Sequence, residues 1–195
     1  SGNTLGELQL TWYNNIGPNE TVEIVNTLWQ RANAGETVFY DIYTEEEKAE
    51  DPDKADTGLF FFKGDPGAKF AVCNAGGGFA YVGAMQDSFP HALEISKRGY
   101  NAFALIYPQP SAVSMQYTGH SDYTENDPPT FACVGESDGI ANWRTMQRRI
   151  EALDALGIPT EFHHYPGLPH GFGLGTGTVA EGWLDEAAQF WEAQM

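Results

Sequence analysis

Apolar positions along this chain change period from one segment to the next. Short runs rich in Val, Ile, Phe, Tyr and Thr cover residues 37–43, 59–62, 69–73, 101–107, 111–117, 130–134 and 160–165, and each reads as a strand. Between and around them the period lengthens to that of a helix. An early helix is predicted at about residues 20–32. Another follows Gly139, with Ile140, Trp143, Gln147, Ile150, Leu153 and Leu156 on one stripe and a stop at Gly157 before Pro159. A last helix carries Ala180, Leu184, Ala187, Ala188 and Trp191 on one face. Strands alternating with helices in this way predict an α/β fold with a mostly parallel sheet flanked by helices. The acidic stretch 45–56 reads as a solvated loop rather than a metal site. No internal repeat or linker divides the 195 residues, which are read as one domain over 1–195.

One junction departs from that pattern. The strands ending at Tyr107 and starting at Ser111 are separated only by Pro108, Gln109 and Pro110. A crossover between parallel neighbours needs a dozen or more residues, usually a helix. Three residues permit only a hairpin, and the two prolines withhold ladder donors beside a turn that has no glycine. The simplest explanation is that one helix-strand-helix unit is missing between Tyr107 and Ser111.

Composition supports a packed core, with 42% apolar and 13% aromatic residues. A formal net charge of -17 would repel nucleic acid and anionic membrane surfaces, so neither is expected as a partner. No apolar run approaches the roughly 18 residues that would span a bilayer. The expectation is a soluble protein, cytoplasmic ahead of secreted, acting on a small molecule. Cys73 and Cys133 sit in separate apolar strands without metal-ligand spacing and are read as buried free thiols. No cofactor or metal is expected.

The chemistry is concentrated in three places. Gly76, Gly77 and Gly78 follow an apolar strand and open toward a predicted helix, an arrangement that turns backbone N–H groups toward an anion. No Lys or Arg lies in that loop to assist a phosphate, which favours an oxyanion. Asp138 follows a later strand, and His170 stands in a Pro-His-Gly-Phe turn, giving an acid and a base suited to nucleophilic catalysis. The competing role for Asp138 is the N-cap of the helix that follows.

Two stretches in each half of the chain resemble α/β-hydrolase esterases, in particular small acetyl-esterase and acetyl-xylan-esterase-like members. Cys73-Asn74-Ala75-Gly76-Gly77-Gly78-Phe79 and Arg98 to Tyr107 are similar to the oxyanion strand and the helix and strand after it. Thr130 to Asp138 resembles the strand that ends in the triad acid, and His163 to Phe172 the turn that holds the triad histidine. The resemblance implies a three-layer α/β-hydrolase fold. It also implies a Ser-His-Asp triad with Asp138 and His170, an oxyanion hole at Gly77 and Gly78, and hydrolysis of short-chain esters such as acetyl groups on carbohydrates. Two features depart from the family. Alanine stands at position 75 where such esterases usually have histidine, and the serine elbow belongs in the segment missing between Tyr107 and Ser111. The nucleophile is therefore unassigned. A truncated or degenerate, non-catalytic binding or scaffold domain is the competing expectation.

Gly135-Glu136-Ser137-Asp138-Gly139 satisfies the Gly-x-Ser-x-Gly pattern of a nucleophile elbow. We read Ser137 as a decoy, because the resembling hydrolases run serine, then acid, then histidine, and no suitable acid separates Ser137 from His170. Ser114 and Ser121 are remote candidates. The glycines at 171, 173, 175 and 177 mimic a dinucleotide loop but follow no strand directly. His163 and His164 alternate on a strand and require no catalytic role.

Overall fold

The computed structural model describes residues 18–76, 82–106 and 123–195. The junction between Tyr107 and Ser111, the strand expected at 111–117, Gly77, Gly78, Ser114 and Ser121 lie outside the described residues. The fold is mixed α/β, and the chain forms two compact units.

In the first unit the elements run α1 (Pro18–Asn33), β1 (Phe39–Asp41), α2 (Glu45–Glu50), β2 (Gly58–Phe62), β3 (Phe70–Asn74), α3 (Ser88–Lys97) and β4 (Asn101–Ile106). The strands order as β1-β2-β4-β3. β3 and β4 are parallel, whereas β2 runs antiparallel to both β1 and β4, so this sheet is mixed rather than mostly parallel. Strand alternation sorts the side chains by face. Phe62, Ala102 and Ala104 join Ile24 and Leu28 of α1 and Phe89, Ala92 and Leu93 of α3 in one buried cluster. The opposite face carries an aromatic row, with Phe103 in ring contact with Tyr40, Phe61 and Phe70.

In the second unit β5 (Thr130–Gly135) pairs in parallel with β6 (Thr160–Tyr165) in register from Thr130 opposite Thr160 to Gly135 opposite Tyr165. The crossover helix α4 (Trp143–Ala155) lays Ile150 and Leu153 against Ala132 and Phe162. The C-terminal helix α5 (Trp183–Ala193) sets Phe190 against Phe131, on the other side of the strands.

Three expectations are corrected by local interactions. The acidic stretch is no loop: it forms α2 and then a 3₁₀ turn at Pro52–Asp56. Thr44 and Glu47 make a reciprocal capping box, and Lys48 bridges Asp41 and Glu45, which offsets the like-charge repulsion. α4 starts later than the stripe implied, at Trp143, because Asn142 caps it by accepting from the Arg144 amide at 2.9 Å. Ile140, expected on the buried stripe, is 81% exposed. α5 likewise begins at Trp183, leaving the buried Ala180 in the preceding turn.

Candidate active site

The parallel pair β5–β6 delivers Asp138 and His170 from its two adjacent strand ends. Beyond the last ladder residues the chains stay stitched together: the Glu136 amide donates to Tyr165 O at 2.9 Å, and the Ser137 amide donates to Leu168 O at 3.0 Å. The Asp138 amide closes a tight turn on Gly135 O at 3.2 Å. Gly135 allows this approach, since a Cβ there would lie 2.0 Å from Leu168 O. On the facing side the Leu168 amide donates to Tyr165 O, Gly167 takes φ 72°, and the buried Leu168 anchors the turn that presents His170.

Asp138 Oδ2 and His170 Nδ1 are 2.8 Å apart. The carboxylate side chain is 5% exposed and the imidazole 43%, so the pair is buried on the acid side and open on the histidine side. Oδ1 of Asp138 accepts from the amides of Ile140 and Ala141, each at 2.7 Å. Burial opposes ionisation of Asp138. The Ala141 amide, the His170 imidazole and the Ile140 amide together outweigh it and hold the carboxyl below its ordinary value. An ionised Asp138 takes the Nδ1 proton of His170 in a hydrogen bond, which leaves the lone pair on Nε2, the tautomer a general base requires. Asp138 is not the cap of α4. That position belongs to Asn142, and the aspartate organises the turn before it.

Ser137 is exposed, and among the described residues no hydrogen bond joins it to His170. The turn that carries it aims the next side chain, Asp138, at the imidazole. Gly77 and Gly78 lie outside the described residues; at Gly76 the amide donates to Asp87 Oδ2 at 2.6 Å, and the carbonyl accepts from the Gly83 amide at 2.9 Å. The glycines at 171, 173, 175 and 177 all have positive φ and form successive turns after His170.

Two interactions were not read from the sequence. Glu136 Oε1 lies 2.5 Å from His164 Nδ1, and the His164 ring stacks on Trp143 with centroids 4.6 Å apart. The strand alternation of His163 and His164 hinted at this, since it puts His163 instead against Phe131 and Glu161. Asp87 is the second: it stands just before α3 without capping it and accepts from the Gly76 amide, 11 residues back in the chain. Both cysteines are free and partly buried. Among the described residues no group of three His, Cys, Asp or Glu side chains is arranged to hold a metal, and no helix is long and apolar enough to cross a membrane.

No family model and no curated protein matches the chain. Among solved structures it is similar to a thermophilic esterase, Est2, from the Planctomycetes species Thermogutta terrifontis. The TM-score is 0.55 at 14% sequence identity, over 73% of this chain and 89% of that one, so the likeness is one of fold.

Proposed function

We propose that this chain is built as a serine carboxylesterase-type hydrolase of short-chain, acetyl-like esters, with Asp138 and His170 as the acid and base of its triad. The observation that carries the reading is the 2.8 Å contact between Asp138 Oδ2 and His170 Nδ1, with the second carboxylate oxygen fixed by two amides. The fold likeness to an esterase supports it. A three-layer α/β-hydrolase architecture over residues 1–195, with one helix-strand-helix unit missing between Tyr107 and Ser111, belongs to the same reading.

In this mechanism His170 Nε2 removes the proton from a serine hydroxyl as the oxygen attacks the ester carbonyl. Asp138 holds the tautomer and stabilises the imidazolium, which then protonates the leaving alcohol. Backbone N–H groups of Gly77 and Gly78 bind the oxyanion, each donor contributing about 3 to 4 kcal/mol in comparable sites. Water attacks the acyl-enzyme in a second, matching cycle. A carbohydrate acetyl ester is the substrate suggested by the resemblance.

The test compares hydrolysis of p-nitrophenyl acetate by the parent and by His170→Ala. A rate that falls in the variant supports the reading, and equal rates would rule out catalysis by His170. A serine-directed phosphonate followed by peptide mapping then locates the nucleophile, and labelling at Ser137 would reverse its assignment as a decoy.

A further inference from the structure

We propose that His164 is a positioning residue that clamps both ends of the loop carrying Asp138. The loop leaves β5 at Glu136 and enters α4 at Trp143. Asp138 shapes it from within, since Oδ1 takes the amides of Ile140 and Ala141 and the Asp138 amide returns to Gly135 O. Those bonds do not tie the far end of the loop to β6, the strand that leads to His170. His164, on β6, reaches both ends at once. Its Nδ1 lies 2.5 Å from Glu136 Oε1, and its ring stacks on Trp143 with centroids 4.6 Å apart and planes 14° apart. The Arg144 guanidinium also lies over that indole, 4.3 Å from its centroid.

Strand alternation makes the clamp possible, because Phe162 and His164 project toward α4 while His163 projects the other way, against Phe131. The side chains of His164 and Glu136 are 41% and 31% exposed, and a pair so wetted adds little by itself. The stack changes its effect: a ring already oriented by the indole gives up little further freedom in meeting the carboxylate. Two restraints of different chemistry on one ring thus fix the first residue of the loop against the residue that follows it, with Asp138 between them. A drift of about an ångström at a catalytic contact costs on the order of 100-fold in rate. The positioning role rests on reading Asp138 and His170 as the triad pair, whereas the clamp itself does not.

The experiment follows the His170 tautomer by ¹⁵N NMR, at a pH where imidazoles are neutral, together with p-nitrophenyl acetate hydrolysis. In the parent the ring proton should sit on Nδ1, against Asp138. His164→Ala removes both ties, and should move part of the His170 population to the Nε2–H form and lower kcat about tenfold with KM nearly constant. His164→Phe keeps a ring on Trp143 and Glu136→Gln keeps an acceptor oxygen, so each should retain most of the parent signal and lose no more than about threefold in kcat. His163→Ala removes a ring from the opposite face of the same strand and should leave both readouts unchanged. A parent-like tautomer in His164→Ala overturns the clamp, and so does an equal shift in His163→Ala, which would mark a general loss of strand order. A shifted tautomer with an unchanged, His170-dependent kcat overturns the positioning role. If hydrolysis by the parent is indifferent to His170→Ala, the hydrolase reading fails and the positioning role falls with it, while the tautomer still decides whether His164 holds Asp138 to His170.

Discussion

The two oxygens of Asp138 face different partners: Oδ2 meets Nδ1 of His170 at 2.8 Å, and Oδ1 accepts from the amides of Ile140 and Ala141. One oxygen is therefore structural and the other orients the imidazole. Because the amides hold the carboxylate in place, the orientation of His170 does not depend on a flexible side chain.

That division separates folding from catalysis in Asp138→Asn. Asparagine keeps one oxygen for the two amides, so stability should change by less than about 1 kcal/mol. Its NH₂ then faces Nδ1, which must accept, and the ring proton moves to Nε2, where it blocks base catalysis. We expect kcat to fall on the order of 10⁴-fold. Urea melts and p-nitrophenyl acetate kinetics on one preparation check both halves, and a variant of undiminished activity would contradict the triad assignment.

Gly135→Ala tests the close packing of the two strand ends. The added Cβ would lie 2.0 Å from a backbone oxygen, Leu168 O, which cannot rotate away. The β5 end must separate from the His170 turn, breaking the Ser137 amide bond to Leu168 O and pulling Asp138 from His170. Overpacking of this kind costs about 1 to 3 kcal/mol. The expected result is loss of both stability and activity, in contrast to Asp138→Asn, and a crystal structure of the variant would show the Asp138–His170 distance lengthened.

The α/β alternation was legible in the sequence because strand and helix periods are local. The partnership of Asp138 with His170 was legible through the esterase resemblance of the two strand ends, and the fold brings Oδ2 and Nδ1 to 2.8 Å because those strands pair in parallel. Ladder direction was not legible: nothing within residues 58–62 states that β2 will run antiparallel to β4. The start of α4 was misread because spacing alone puts Ile140 on the helical stripe. Asp138 takes the amides of Ile140 and Ala141 for its own turn, and Asn142 is left to cap. Asp87 escaped notice because its local role as a cap is replaced by a contact that only the folded chain creates.

The thiols should be inert in the native state. Burial, with a smaller contribution from the Asp87 charge, pushes Cys73 up to about 11, and burial with Glu186 pushes Cys133 up to about 12. At pH 8 about one Cys73 in a thousand is then thiolate, and fewer of Cys133. Reaction with Ellman's reagent should be slow in native protein and release two thiols per chain in denaturant. Rapid labelling of either cysteine in the folded state would show that its burial is wrong.

Asp138 also predicts an acid limb of stability. Its folded-state value lies below the ordinary one because the Ala141 amide, His170 and the Ile140 amide outweigh burial. A depressed carboxyl binds fewer protons folded than unfolded, so its contribution is fully present above the unfolded value of about 3.9. That contribution is lost as pH falls through the lower folded value. Asp138→Asn cannot titrate and lacks this contribution at every pH. Stability measured by urea melts from pH 7 to pH 3 should therefore decline more steeply in the parent, and the difference between the two proteins should narrow toward the acid end. Parallel curves would mean that Asp138 titrates alike in the folded and unfolded chain, and that the bonds drawn to its carboxylate do not favour the charged form.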